Sequence, residues 1–436
     1  MRRKPRNLKI SFTDAAQTHF GGIYFLQEFV ALLQLRHGLA KALTDDRPRT
    51  RYSVGQMLLA LMYPVVLGLD RLEAASFLRS NGVFQYLTGL PQFPNPTTLR
   101  RFLYQSDAVL HEQLRRFNDR LATKLLQYPA QRSRLLLDLD TTVLSVYGAH
   151  EAARVGYNPK RHGARSYEPL LCFEARSGLF WTGLQRPGGN AGADEVISLL
   201  ERSWAIAPPS IREVRVRGDH AFYSHATLAW LEAHHADYAI VARLTRPLRE
   251  RLRALRFEPL DDRWALADFQ YQPAAWPQKR RFIAVRRRLR PEEPQPTLFT
   301  LGRYCYHAYV TNLPVSAVRV WRFYNDRARV ELSIRELKQD YALGEIPTRR
   351  FNANALYFEV LRLAYNLVVG FQTSCLPPRW AASTLSTIRN HFFLLPAVLA
   401  KPQGRPALRF PGYLPAREDI DTVIEQLERL RRRPAW

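Results

Sequence analysis

Through the first third of the chain, apolar residues recur every three to four positions. "GGIYFLQEFVALLQLRHGLAKAL", "SVGQMLLALMYPVVLGL" and "AVLHEQLRRFNDRLATKLL" each lay an apolar stripe along a helix, so residues 1–130 predict a helical unit. Between them, "FPNPTTLRRFL" (93–103) opens a short basic helix at Pro-Thr-Thr and carries Arg100 and Arg101. The period changes at residue 134. "RLLLDLDTTVLSVYG" reads as a strand, and "YEPLLCFEARSGLFWTGLQ" as two strands about the turn Arg176-Ser177-Gly178. A helix ("ADEVISLLERSWAI"), a strand ("EVRVRGD"), a helix ("HATLAWLEAHH") and a strand ("DYAIVARL") follow. Three strands that can pair as a meander, then strands joined by helical crossovers, predict an α/β fold with a mixed sheet covered by helices. Residues 246–312 alternate apolar and polar in short strands between Pro-rich turns, which predicts an all-β insertion. Helical spacing returns at Ser316 and runs through "ALYFEVLRLAYNLVVGFQ". The last segment, 371–436, is Pro-rich and then helical, ending in "EQLERLRRRPAW".

Charge adds a partner to this outline. The 436 residues carry 64 Lys+Arg against 39 Asp+Glu, a formal net charge of +25. A chain that basic meets a polyanion, and nucleic acid is the first expectation. In a basic helical unit, the helix with Arg100 and Arg101 is either a DNA-reading helix or an ordinary capped surface helix. Three widely spaced cysteines give no zinc or disulfide pattern and fit a reducing cytoplasm. The basic start "MRRKPRNLKI" leads into no apolar stretch, so no signal peptide is expected. The longest apolar run, "MLLALMYPVVLGL", is too short to span a bilayer and contains Pro64, so it predicts a core helix and no membrane partner.

The candidate chemistry lies in three acids. In "RLLLDLD", Leu135, Leu137 and Leu139 share one strand face, and Asp138 and Asp140 share the other. Acids on a central strand must be paired, solvated or metal-bound. Asp219 stands at the carboxyl end of another strand, where open α/β sheets bind ligands. In "FYNDRARVELSIRELKQDY" (323–341), Tyr324, Arg327, Glu331 and Lys338 fall within about 60° on one helix edge, given about 100° per residue, and Arg335 joins them. Val330, Ile334, Leu337 and Tyr341 form an apolar stripe beside that edge, and Glu336 is expected to face water. One reading of the edge is an i,i+4 ladder in which Glu331 pairs with Arg327 and Arg335. The other is a metal-dependent phosphodiester site. Two strand aspartates and a helix glutamate would offer hard oxygen ligands to divalent cations. Arg and Lys on the same edge would hold phosphates.

These residues resemble the DDE transposases of bacterial insertion sequences that carry a Tyr-Arg-Glu-Lys signature. Tyr324, Arg327, Glu331 and Lys338 match that signature without a gap, "DLDTTVLSVYG" resembles the first Asp motif and "VRGDHAFYS" the second. "GYNPKRHGARSYEPLL" and "LRLAYNLVVGF" are similar to the branch called the insertion sequence thirteen-eighty family. The resemblance implies a 1–130 DNA-binding domain, an RNase H-like catalytic domain over 131–370 with its β-rich insertion at 246–312, and a 371–436 tail. It implies Asp140, Asp219 and Glu331 as catalytic ligands of two Mg²⁺, for which Mn²⁺ can substitute. Asp138, on the same face, is the alternative to Asp140. It implies that Tyr324, Arg327 and Lys338 hold the terminal nucleotides. Lys160, Arg161, His162 and Arg165 are candidate phosphate contacts or a solvated charge run, and Trp264 and Trp276 are candidate stacking platforms or plain packing aromatics. The implied partners are double-stranded DNA, as terminal inverted repeats and target, and a second copy of the chain on that DNA. The implied location is the bacterial cytoplasm, at the nucleoid. A metal nuclease that cuts without joining, and a co-opted DNA-binding protein, are the alternatives.

Overall fold

The computed structural model describes residues 16–44, 51–90, 92–128, 132–156, 158, 161–290, 300–301 and 303–432. The amino-terminal third is built from helices, among them α1 (Ile23–Leu32), α2 (Val54–Val66), α3 (Pro96–Gln105) and α4 (Ala108–Leu126). Their starts follow side-chain chemistry. Ser53 and Gln56 form a capping box at α2, Asn95 caps α3 with Pro96 in the first turn, and Asp107 accepts the Leu110 N–H at 2.8 Å to open α4. Pro64 sits near the end of α2, which is buried as a core helix. No helix among the described residues is long and apolar enough to cross a membrane.

The sheet begins with β1 (Arg134–Thr141), β2 (Leu170–Glu174) and β3 (Phe180–Leu184), an antiparallel meander. Helix α5 (Ala193–Ala205) crosses to β4 (Glu213–Gly218), and α6 (His225–Ala233) crosses to β5 (Asp237–Val241). Strands β1, β4 and β5 run parallel side by side. This is the mixed, helix-flanked sheet that the order of the sequence patterns predicts, and it is consistent with an RNase H-like architecture.

Residues 246–312 differ from the expected all-β insertion. They open with helix α7 (Arg246–Ala254), whose buried Leu248 and Leu252 are spaced i,i+4. The strands that follow, β6 (Trp264–Tyr271), β7 (Arg280–Arg288) and β8 (Tyr304–Thr311), do not form a sheet of their own. β8 pairs antiparallel with β5, giving the order β6-β7-β8-β5-β4-β1-β2-β3. The open edge of β5 takes up the new strands because an unpaired edge in the interior leaves its backbone groups unsatisfied. Alternation gives β6–β8 two apolar faces. One joins the main core. The other, with Leu266, Ile283, Val285 and Tyr309, makes a second small core under α8 (Ala317–Asn325) through Val320. The extension thus seats the helix that carries Tyr324.

Helix α9 (Ala328–Gln339) follows, and then α10 (Phe351–Cys375), which is apolar nearly all round and therefore central. The expected boundary at 370 falls inside α10. Gly370 lies where a Cβ would come within 2.8 Å of Leu125 on α4, so the missing side chain permits close helix approach. One continuous core joins the amino-terminal helices, α10 and the sheet. After α10, the tail is helical only in part. Short strands Ala397–Ala400 and Ala407–Arg409 pair with each other, and the first also pairs with Gln17–Thr18. The last helix, α11 (Arg417–Arg431), packs Val423 and Leu427 inward, and its Arg431 pairs with Glu28 on α1.

Candidate active site

Leu139 and Gly218 are the last partners in the parallel ladder, so Asp140, still paired with Leu171 of β2, and Asp219, one residue past β4, follow adjoining positions at the carboxyl ends of β1 and β4. Asp140 accepts the Thr141 N–H at 2.7 Å and lies 2.8 Å from the Arg327 guanidinium. Asp219 caps the turn after β4 by accepting the Ala221 N–H at 2.9 Å, and stays half-buried.

The stretch 323–341 is two helices rather than one. The i→i−4 ladder breaks at Asp326–Arg327, where Arg327 N–H donates to the Tyr324 carbonyl and Val330 N–H to the Arg327 carbonyl. The single-helix angles therefore hold only within each piece. Tyr324, at the end of α8, packs its ring at a tilt on Tyr309, 4.6 Å between centroids, and burial pushes its phenol up to about 12. Arg327 is buried between the helices, donates to the Leu139 carbonyl at 2.6 Å, and has no hydrogen-bond partner for its Nε among the described residues. Lys338 reaches the Val143 carbonyl at 3.1 Å. The edge thus clasps β1 and the loop after it. The i,i+4 ladder does not form: Arg327 pairs with Asp140, and among the described residues no ion pair reaches Glu331, which is exposed in the first turn of α9. Val330, Leu337 and Tyr341 are buried, as the stripe predicts.

Asp140 is pushed up to about 6, first by burial, with Arg327 opposing and the charges of Asp219 and Glu331 adding. Among the described residues no group of three acid, His or Cys side chains stands ready to hold a metal ion. In kind, the donors still suit a hard divalent cation: they are carboxylate oxygens, and Asp140 already faces a cationic group.

Glu336, expected in water, is mostly buried. Its Oε1 accepts the Leu385 N–H at 2.7 Å, and burial raises its carboxyl to about 7. The segment after Thr384 covers this side of α9, which a helix read alone does not reveal. Asp138 is fully buried and paired to Arg217, which takes it out of the open site. Arg217 and Glu168 were missed by the sequence reading. Glu168 accepts the Gly189 N–H at 3.1 Å, and its carboxyl is raised by burial and by Asp219. The signal for Arg217 was present: in "VRVRGD" it shares the face of Asp219, as Asp138 shares that of Asp140.

The remaining candidates lie apart. Lys160 falls outside the described residues. Arg161 is exposed over the Tyr147 ring at 4.8 Å, and His162 and Arg165 are exposed. Arg100 pairs with Glu73, whereas Arg101 lines a cavity of about 370 Å³ with Arg51 and Arg79. Trp276 packs on Tyr223 at 4.9 Å, and Trp264 on Trp321 at 5.1 Å.

Compared with known families, residues 2–432 match the one described as Transposase DDE domain group 1. The chain belongs to this DDE transposase family. A solved structure it is similar to is a piggyBac transposase synaptic complex with hairpin DNA, at 11% identity, covering 96% of this chain and 83% of that chain with a TM-score of 0.47. No curated protein matches the chain.

Proposed function

We propose that this DDE-family protein is a Mg²⁺-dependent DNA transposase of the insertion sequence thirteen-eighty type, cutting and joining strands at terminal inverted repeats. The observation that carries the reading is the placing of Asp140 near the end of β1 and Asp219 just past the end of β4, each following the paired Leu139 and Gly218, with Arg327 ion-paired to Asp140 at 2.8 Å. Asp140, Asp219 and Glu331 would hold the metal, with Glu331 moving in from its exposed turn. Bound Mg²⁺, or Mn²⁺ in its place, supplies Lewis acidity toward an attacking hydroxyl and a leaving oxygen of the phosphodiester. The chain's own part is to position. Tyr324, Arg327 and Lys338 line the approach to Asp140 and hold the phosphates of the terminal nucleotides. The exposed Arg161 and Arg165 would offer further phosphate contacts, and Arg101 with Arg51 and Arg79 a separate one among the amino-terminal helices. Two ends must be held together while they are joined, so the working form on DNA is a dimer.

The test is end cleavage and strand transfer on DNA that carries the repeats flanking the gene, with Mg²⁺. Wild type is expected to cut and join, and Asp140→Asn and Glu331→Gln to fall to background. Cutting without joining by wild type would make the protein a nuclease. Tight binding without cutting would make it a DNA-binding protein. Full activity in Glu331→Gln would remove Glu331 from the ligand set.

A further inference from the structure

Just inside the proposed site, one buried side chain ties together the two strands that lead to the aspartates and the helix that carries Tyr324. Asp138 and Arg217 are in-register partners on β1 and β4, each two residues before Asp140 and Asp219. They are 0% and 2% exposed. Arg217 Nε donates to Asp138 Oδ1 at 2.6 Å and Nη2 donates to Oδ2 at 2.8 Å, a two-pronged pair. Its remaining arm, Nη1, donates to the carbonyl of Phe323 at 2.6 Å, and the guanidinium lies 5.1 Å from the Phe323 ring. Phe323 belongs to the last turn of α8, whose carbonyls have no intrahelical donor and carry the negative end of the helix dipole. A guanidinium is well matched to such a carbonyl.

We infer that Arg217, held by Asp138, is a positioning residue for the metal site. The inference rests on the function proposed above. Standing on β4, Arg217 fixes β1 through Asp138 and α8 through Phe323. Those elements carry Asp219, Asp140 and Tyr324, and α8 leads through Arg327 into Glu331. The guanidinium's planar fork sets all three distances at once, which the single ammonium of Lys cannot do. Two charges buried only for stability could be replaced by apolar residues without loss. Here the pair lies along the strand from two proposed ligands and caps the helix that leads to the third, which gives it a registering role.

The experiment measures Mn²⁺ binding to the full chain without DNA, from the free-ion electron paramagnetic resonance signal, alongside thermal melting. Asp140→Asn identifies which Mn²⁺ belongs to the site. Arg217→Lys is expected to weaken that Mn²⁺ by about tenfold or more, the range seen when residues that orient metal ligands are changed. Asp138→Asn, which keeps side-chain volume, is expected to act in the same direction and serves if Arg217→Lys fails to fold. Arg281→Lys is the control. Arg281, on β7 three strands from β4, joins Asp268 on β6 to the carbonyls of Leu313 and Val315 in the segment before α8. It should lower the melting temperature while leaving Mn²⁺ affinity unchanged. If Asp138→Asn and any folded Arg217→Lys bind Mn²⁺ within about threefold of wild type, the positioning role is overturned and the proposed function stands. The role is equally overturned if Arg281→Lys weakens Mn²⁺ as much as they do. If Asp140→Asn loses no Mn²⁺, the metal reading fails and takes this inference with it.

Discussion

Two regions of this molecule bury charge, and they do it in opposite ways. Between α4, α5 and α10, Arg362 is fully buried, with Nη1 2.7 Å from Asp119 and 3.3 Å from Glu359. Arg115 and Arg202 also face Asp119, at 3.1 and 3.4 Å, and Asn118 donates to Glu359 at 2.8 Å. Burial pushes the Glu359 carboxyl up, but Arg362 and Arg202 more than offset it and hold it below the ordinary range. At the ends of β1 and β4 the balance is reversed. Asp140 has one guanidinium beside it and two further acids near enough to raise it, and exposure grows from Asp138 outward to Asp219. The first network closes on itself and joins elements. The second keeps unbalanced negative charge facing solvent, the condition under which a carboxylate group draws a cation.

The largest effect should come from the closed network. Arg362→Met leaves Asp119 and Glu359 short of a partner in the interior and also removes the hydrogen bonds to the Phe180 and Trp181 carbonyls. Stability should fall by about 3–5 kcal/mol, the usual loss when one member of a buried pair is removed. Urea unfolding checks this, and a loss under about 1 kcal/mol would erase the contrast between the regions.

Asp140→Asn should do the reverse. The Asp140 pKa of about 6 lies above its unfolded value, so its ionisation costs the folded state. That cost is full above pH 6 and is relieved as pH falls toward 4. The variant should therefore be more stable than wild type by about 1 kcal/mol at pH 8, with the gain fading by pH 4–5, even as activity is lost. Melting across this pH range tests the sign. A destabilised variant at pH 8 would mean that the Arg327 pair outweighs the acid surplus.

A smaller effect of the same sign is expected on the far side of α9. Glu336, raised to about 7, takes up a proton in the folded state as pH falls through 7, while the unfolded chain does so only near the ordinary Glu value. Glu336→Gln keeps an acceptor for the Leu385 N–H and should stabilise by under about 1 kcal/mol at pH 8, with no difference below pH 4. A pH-independent difference would show that the carboxyl is not the titrating group.

Local spacing was enough to read much of the molecule. The helical periods of 1–130, the meander and the two crossovers come from which residues must be buried, and the sheet follows that order. The positions of Asp140 and Asp219 were legible because a strand's alternation and its end fix where an acid goes, whereas the edge shared by Tyr324, Arg327 and Lys338 was drawn on one helix and holds only within each of two. Other features depended on what lies opposite each element, which spacing along one element does not encode. Strand β8 joins β5 and turns an expected separate insertion into part of the main sheet. The 384–388 segment buries Glu336. The break at Asp326–Arg327 lets Arg327 reach Asp140 and Leu139 instead of Glu331. Arg217 was visible as a charge on a strand face, but its partners on β1 and α8 are 79 and 106 residues away. The sequence by itself determined most of the periodic elements and which strand faces, strand ends and helix edges carry acids. Only the tertiary structure decided which charges are paired, which are buried and which remain in excess, because pairing and desolvation are set by neighbours distant in the chain.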